Sequence, residues 1–257
     1  MASKFFKVES VSSQELADEW DCLASERHNQ IYEGRDITFT HVMAPLVESL
    51  VGSDLDATLI DIGSGTGELT GRLAAHFKKV VCVEPSTKSL VIAKSILSIF
   101  SNINFINSDF EDCEGVLPQY MGVDQKCVFL AAMMLSADPQ LDRFAQTLSR
   151  LARQGDEFIA TIPHPCFWPR YWGYEKESWF SYKKELMIRA PFKISLSDSE
   201  FKTTHVHRPV DKYISTFSKF GFRLLEMSEP VPSKKIQSLY PKKWEFPRFL
   251  AFKWVKG

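Results

Sequence analysis

The sequence predicts an α/β fold with a doubly wound, seven-stranded sheet that is mostly parallel and has an antiparallel last strand. Three observations support this fold. Short apolar strands alternate with amphipathic helices between residues 57 and 163, a glycine-rich turn joins the first of these strands to its helix, and the chain ends with a helix and two more strands. Alternating strands and helices need crossover connections, which produce a parallel sheet covered by helices on both faces.

The elements follow one another without a long linker, so we expect one domain over residues 1–257. Residues 1–55 form an N-terminal helical segment, with a second helix at 39–50 after a polar and aromatic link at 28–35. The core at 57–163 holds strands at 57–62, 79–84, 103–107, 126–132 and 157–162. Its last helix opens at Asp138-Pro139, a capping acceptor followed by proline, and ends at Gly155. Residues 164–206 form an inserted cap, and 207–257 hold a helix at 209–220 and strands at 222–229 and 248–255.

Composition excludes several classes of protein. The chain has 31 basic and 32 acidic residues, a formal net charge of −1, so no basic field suggests a nucleic-acid partner. Its five cysteines are scattered without a Cys-x-x-Cys pair, which argues against a metal site or a disulfide framework and favours the cytoplasm. No signal peptide is apparent and no apolar run approaches the roughly 18 residues of a membrane helix, so we expect no membrane partner.

The most informative segment, residues 61–67, leads from the first core strand directly into a helix. Gly63 and Gly65 permit a tight turn and close approach of a ligand to the backbone, and the helix start offers unpaired N–H groups. Dinucleotide sites use the spacing G-x-G-x-x-G, but here the third glycine, Gly67, comes one residue early and Glu68 takes its place. A carboxylate would repel a pyrophosphate, whereas it suits the cationic amino-acid end of S-adenosylmethionine.

Two acidic residues at strand ends extend this site. Glu84 ends the second core strand, about 20 residues past Gly63, where a carboxylate can accept hydrogen bonds from ribose hydroxyls. Asp109 follows the third strand and can accept from an adenine amino group, while Phe110 can cover the ring. The alternatives are an exposed strand-end acid for Glu84, and a turn aspartate beside a core phenylalanine for the second pair.

Together these motifs resemble the class I S-adenosylmethionine-dependent methyltransferase family, a Rossmann-like fold, over residues 57–162. By this resemblance the cofactor is S-adenosylmethionine, and its site comprises Tyr32, Asp61, Gly63, Ser64, Gly65, Gly67, Glu84, Pro85, Asp109, Phe110, Ala131 and Ala132. The glycine loop would hold the methionine end, Ala131 and Ala132 would lie near the sulfonium, and Tyr32 would close over the cofactor.

The acceptor class is suggested by two further segments. His207-Arg208-Pro209, leading into residues 219–222, is similar to small-molecule methyltransferases related to the ubiquinone and menaquinone biosynthesis group. Residues 130–135 are apolar, whereas family members that methylate nucleic-acid nitrogens often carry a polar motif such as Asn-Pro-Pro-Tyr there. We therefore do not expect base methylation.

The cap holds ten aromatic residues between His164 and Val206. Such enrichment at the carboxyl end of the sheet suggests a lid over a hydrophobic pocket, although a mini-core or a dimer face would have the same composition. Only a protonated nucleophile needs a base. His164, His205 and His207 border the cap and are the candidates, of which His164 and His207 are preferred. The alternative for each is a hydrogen-bonded structural histidine.

These observations predict an enzyme that methylates an oxygen, nitrogen or carbon of a small metabolite, aromatic or apolar, in a capped pocket. Two alternatives stay open: a nicotinamide-dependent oxidoreductase, which Glu68 disfavours, and a non-catalytic protein that binds S-adenosylmethionine. A monomer and a homodimer fit the sequence equally well.

Overall fold

The computed structural model describes residues 4–257, except for the side chains of 197 and 198. The first half contains β1 (Phe6–Val8), α1 (Ser13–Tyr32), α2 (Ala44–Val51), β2 (Asp54–Ile62), α3 (Glu68–Leu73), β3 (Phe77–Val83), α4 (Thr87–Ile96), β4 (Ile103–Ile106) and β5 (Cys127–Ala132). The second half contains α5 (Leu141–Leu151), β6 (Glu157–Pro163), α6 (Trp168–Trp172), β7 (Leu186–Ile194), β8 (Ser197–His207), α7 (Val210–Lys219), β9 (Phe222–Ser228), α8 (Lys234–Gln237) and β10 (Phe249–Lys256). A π-helical turn, Phe39–Met43, leads into α2.

The main sheet has seven strands in the order β4-β3-β2-β5-β6-β10-β9. Neighbours from β4 to β6 are parallel, and β10 runs antiparallel to both β6 and β9. This confirms the fold class that the sequence predicts. The strand order reverses direction between β2 and β5, which makes the carboxyl ends of these strands the expected place for a ligand.

Two apolar cores cover the two faces of this sheet. Ile60, Val81 and Phe129 face one core, in which α5 and α7 contribute Phe144 and Phe217. Alternate residues of the same strands enter the other core, which α2, α3 and α4 complete. Because side chains alternate between faces, strand segments that are buried on both sides are mostly apolar, as residues 59–60 of β2, 80–83 of β3 and 127–132 of β5 are.

The cap is organised around a second sheet of three strands in the order β1-β7-β8. β7 and β8 form an antiparallel hairpin, and β1 joins its outer edge with Phe6 opposite Arg189. Phe5, Trp172, Tyr174 and Ile188 belong to a small core beneath it. The sequence did not predict β1 in the N-terminal helical segment, since three residues carry too little pattern and their partner lies far away in the chain.

Several predicted boundaries are wrong. The link expected at residues 28–35 begins inside α1, which continues to Tyr32. The helix expected at Asp138-Pro139 starts at Leu141, because Asp138 instead accepts a hydrogen bond from the Gln140 backbone N–H at 2.6 Å and forms a turn. The same helix ends at Leu151, before Gly155, since Ala152 already has an extended backbone. The short helix α8 carries no pattern that the sequence analysis detected.

Every helix within residues 4–257 is too short or too polar to span a lipid bilayer. All five cysteines are free thiols. Within the same residues, no group of three or more His, Cys, Asp or Glu side chains has an arrangement suited to a metal ion.

Candidate functional site

A cavity of about 370 Å³ lies at the carboxyl ends of β2, β3, β5 and β6. Helix α1 forms one wall through Ala17, Trp20 and Arg27, and the cap closes the side opposite the sheet. Its size falls within the range of small-molecule sites. The cavity therefore occupies the position at which doubly wound sheets bind their ligands.

The glycine loop lines this cavity and depends on its glycines for different reasons. Gly63, Gly65 and Gly67 have φ angles of +68°, +58° and +89°, a region that other residues rarely adopt. A Cβ at Gly63 would lie 2.7 Å from the Met134 side chain, and one at Gly67 would lie 2.9 Å from the Leu97 side chain. At Gly65 no atom lies within 4 Å of that position. Gly63 and Gly67 thus pack the loop, whereas Gly65 leaves room for a ligand.

Two buried carboxylates hold the loop in place. Asp61 accepts a hydrogen bond of 2.6 Å from the Thr70 hydroxyl, and burial raises the pKa of Asp61 to about 6. Glu84 accepts from the backbone N–H groups of Gly65 and Ser86, each at 2.8 Å, and burial raises the pKa of Glu84 to about 7. A carboxylate has about four acceptor positions, so Glu84 retains capacity for two further donors.

Two further acidic residues, Asp109 and Glu111, lie in the segment that follows β4. Asp109 lines the cavity, and burial raises its pKa while a hydrogen bond from Ser13 opposes the shift. Phe110 also lines the cavity, but it is only 2% exposed and its ring packs 4.9 Å from Phe144, so most of it belongs to the core. Glu111 was not singled out from the sequence, yet it lines the cavity and burial raises its pKa to about 7.

The remaining residues that the sequence analysis assigned to the cofactor site fall into two groups. Ser64, Pro85 and Ala132 line the cavity, whereas Ala131 and Gly67 do not, and Ala131 is buried in the core.

Met133, directly after β5, also lines the cavity and has an unusual backbone conformation. Its φ angle is +63°, which is uncommon for a residue with a side chain. Its N–H is held by the Thr161 carbonyl at 2.9 Å. Backbone strain of this kind concentrates at functional sites, and no local sequence signal marks it.

Tyr32 lies outside the lining, contrary to the role expected for it. Its residue is 82% exposed, and its ring stacks on His28 at 5.8 Å. Arg27 and Ile31 lie four residues apart on α1 and face the cavity instead. Because successive residues of a helix point about 100° apart, Tyr32, which follows Ile31, is directed away from the cavity. His28 reaches the loop differently, because its Nδ1 lies 2.7 Å from Glu68 Oε1 and so joins α1 to α3.

Neither candidate base lies in the cavity lining. His164 has both ring nitrogens engaged, with Nε2 2.7 Å from Glu229 Oε1 and Nδ1 accepting from the Cys166 N–H at 3.1 Å. His207 donates from Nε2 to the Tyr182 carbonyl at 3.0 Å and borders a small separate pocket, and burial lowers its pKa. These positions correct the expectation that the two histidines point at a reaction centre, since hydrogen bonds within the cap and to the segment after β9 turn them away.

His205 is the histidine that reaches the main cavity. It stacks on Trp172 with ring centres 4.8 Å apart, and its Nε2 lies 3.3 Å from the Tyr174 hydroxyl. Burial lowers the pKa of His205 to about 3, so the ring is neutral at physiological pH. The sequence analysis gave it less weight than His164 and His207, because alternation along a strand does not show which part of a hairpin overhangs a pocket.

The two ends of the cavity differ in charge. Asp61, Glu84, Asp109 and Glu111 lie at the glycine-loop end. The cap end is aromatic and contains Arg248, with Trp168, Tyr171, Trp172, Phe192 and Phe249 in the wall. A ligand that fills the whole cavity therefore meets hydrogen-bond acceptors at one end, and apolar rings with a cation at the other.

Residues 59–155 match a family model described as a methyltransferase domain. A stretch of 108 residues is 32% identical to the probable S-adenosylmethionine-dependent methyltransferase CRG1 of Saccharomyces cerevisiae and covers 39% of this chain and 34% of that protein. Another of 70 residues is 36% identical to ribosomal RNA small subunit methyltransferase A of Macrococcus caseolyticus and covers 27% and 23% of the two chains. The chain thus spans about a third or less of the curated relatives that it matches.

The fold also resembles solved structures. An S-adenosylmethionine-dependent methyltransferase from Mesorhizobium loti superposes with a TM-score of 0.60 at 15% identity, and the match covers 82% of this chain and 96% of that one. At this level of identity the similarity concerns the fold, including the seven-stranded sheet and its flanking helices.

Proposed function

Since residues 59–155 are a methyltransferase domain of the class I S-adenosylmethionine-dependent type, we propose that this chain transfers a methyl group from S-adenosylmethionine to a small organic molecule beneath the cap. The observation that carries the proposal is one continuous cavity that joins the glycine loop to an aromatic wall. A cofactor at one end and an acceptor at the other would share it.

For the cofactor we assign the residues that line the acidic end. Gly63, Ser64 and Gly65 bind the methionine end, Glu84 uses its two remaining acceptor positions for the ribose hydroxyls, and Asp109 accepts from the adenine amino group. Support comes from the open space at Gly65 and from the two N–H groups that orient the Glu84 carboxylate.

The protein's contribution to the reaction is positioning and exclusion of water. When bound, S-adenosylmethionine supplies a methyl carbon activated by the neighbouring positive sulfur. The segment at Met133 and Met134 lies beside the glycine loop and orients the two ligands, while Trp168, Tyr171 and Trp172 keep bulk water from the acceptor. His205, and not His164 or His207, stands at the acceptor end, but its pKa of about 3 makes it a poor base, so we assign its unpartnered Nδ1 a hydrogen bond to the acceptor instead of proton removal.

Calorimetric titration tests cofactor binding directly. We expect wild-type protein to bind S-adenosylmethionine and S-adenosylhomocysteine with micromolar dissociation constants and NADH not at all. Gly65→Arg should weaken binding by about a hundredfold or more, because its side chain would occupy the open space at the loop and distort a backbone with φ of +58°. Gly115→Arg is the control, since Gly115 is exposed and also has open space around it. Folded wild-type protein that binds neither ligand would overturn the proposal.

The acceptor class is tested by mass spectrometry after incubation with S-adenosylmethionine and either a panel of aromatic and aliphatic metabolites or purified ribosomal RNA. We expect a methylated small molecule and unmodified RNA. The apolar segment after β5, the closed cap and the net charge of −1 favour this result. Methylated RNA without a methylated metabolite would instead favour the activity named for the ribosomal RNA relatives.

Cofactor affinity should depend on pH through Glu84. Burial raises the pKa of Glu84 to about 7 in the free protein, and hydroxyl donors favour its ionised form. Affinity for S-adenosylhomocysteine should therefore increase by about tenfold between pH 6 and pH 8, most of it below pH 7. Calorimetry at four pH values measures this slope, and Glu84→Gln serves as the control because it has no titrating group at this position. An equal slope in both proteins would remove Glu84 as its source.

A further inference from the structure

Arg248 lines the cap end of the cavity, beside Tyr171 and Ser195. It immediately precedes β10, and its carbonyl accepts a hydrogen bond of 2.8 Å from the His164 N–H, which anchors it beside the end of β6. The residue is only 5% exposed and lines the cavity. Its guanidinium carbon is 3.8 Å from the centre of the Tyr171 ring and 4.4 Å from that of Trp244. Aromatic rings thus hold the cation in one position.

The charge of Arg248 is not neutralised by the side chains that the structure describes. None of their carboxylates lies within 4.0 Å of it, and its polar contact is the Ser195 hydroxyl at 3.4 Å. The other arginines of this region differ, because Arg27 pairs with Asp36 at 2.6 Å and Arg208 donates to two carbonyls and to Glu185. A buried charge without a counter-ion is costly, and burial indeed lowers the pKa of Arg248.

We propose that the methyl acceptor carries a carboxylate group, which Arg248 binds at the cap end of the cavity; this inference rests on the proposed function. A guanidinium presents parallel N–H donors whose geometry matches a carboxylate, and an apolar surround strengthens that pair. The rings of Trp168, Tyr171 and Phe249 then contact an apolar body attached to the carboxylate. The substrate class is therefore a small aromatic or apolar carboxylic acid.

The charge distribution orients such an acceptor. Asp61, Glu84 and Asp109 at the loop end repel an anion, whereas Arg248 attracts it. Ser195, at the tip of the β7–β8 hairpin, adds a hydroxyl donor beside the guanidinium. The β7–β8 hairpin of the cap thus contributes to recognition as well as to closure.

Matched ligand pairs test the proposal without a known substrate. Binding of benzoate, phenylacetate, cinnamate and naphthoate is measured by calorimetry on the 257-residue chain with S-adenosylhomocysteine present, each against its primary carboxamide. We expect at least one acid to bind about tenfold or more tightly than its amide, because the amide lacks the charge. Equal affinity within every pair, or no binding by any acid, would overturn the proposal. Tighter binding of phenylphosphonate than of every acid would overturn the carboxylate assignment.

Variants of Arg248 test whether this residue causes the preference for the acid over its amide. Arg248→Gln should remove the preference for the acid, and Arg248→Lys should retain part of it, because lysine keeps the charge but not the forked donors. Arg170→Gln is the matched control, since Arg170 lies on α6 and is 61% exposed. Unchanged preference in Arg248→Gln would contradict the proposal.

Binding of S-adenosylhomocysteine separates the two hypotheses. If it binds all variants equally while the acid preference is lost only at Arg248, both hypotheses hold. If it fails to bind wild-type protein but the acids still bind through Arg248, the carboxylate site stands and the methyltransferase function does not. If it binds wild-type protein but the acids bind no more tightly than their amides, the proposed methyltransferase function stands and the carboxylate site does not.

Discussion

Glu84→Ala is expected to weaken binding of S-adenosylhomocysteine by about a hundredfold or more while the protein stays folded. Two charge-assisted hydrogen bonds to ribose hydroxyls are worth about 3 kcal/mol or more together, which corresponds to that factor. The loss of two N–H contacts, from Gly65 and Ser86, also releases the glycine loop. Calorimetry measures the dissociation constant, and circular dichroism measures the fold.

A second substitution at the same position separates the charge of Glu84 from its hydrogen-bonding capacity. Glu84→Gln keeps an acceptor oxygen but loses the charge, so we expect a loss of about tenfold. Glu226→Ala is the control, because Glu226 is an exposed acid on β9, far from the cavity lining. Wild-type affinity in Glu84→Ala would show that the carboxylate only supports the loop and does not contact the cofactor.

Arg208→Ala should lower the free energy of unfolding by about 3–5 kcal/mol. The side chain is buried and donates at 2.9 Å to the Leu135 carbonyl and at 2.6 Å to the Asp138 carbonyl, and its Nε lies 3.0 Å from Glu185 Oε2. Its removal leaves two buried carbonyls without donors and opens a cavity between the cap and the loop after β5. Urea unfolding followed by fluorescence measures the loss.

Arg150→Ala is the matched control for this prediction. Its side chain is 59% exposed and pairs with Glu114 at 2.9 Å, and such surface pairs contribute about 1 kcal/mol or less. If Arg208→Ala destabilised the protein no more than this control, Arg208 would not join the cap to the core energetically. The motif His207-Arg208-Pro209 was noticed in the sequence through a resemblance, but its function as a connection between β8 and the loop at 135–138 is visible only in the fold.

The cofactor half of the site could be predicted because its determinants are local. A strand, a tight turn and a helix start within residues 57–68 form one continuous unit, and the glycines there have positive φ angles that other residues rarely adopt. Glu84 and Asp109 end adjacent parallel strands, so their proximity to the loop follows from the sheet itself. Met133 escaped detection, since its positive φ depends on Thr161, which belongs to the next strand.

The acceptor half could not be predicted, because it is assembled from distant segments. Tyr171, Ser195 and Arg248 belong to α6, the hairpin and the start of β10, and no periodicity links them. His164 follows directly after β6, whose end lines the cavity, but its ring points to Glu229 and not into the cavity. The sequence by itself determined the seven-stranded sheet and the place of the glycine loop, whose causes are short-range hydrophobic alternation and backbone geometry. The tertiary structure alone decided which histidine, which face of α1 and which arginine reach the cavity, because side-chain direction across non-local contacts is set by packing and hydrogen-bond partners.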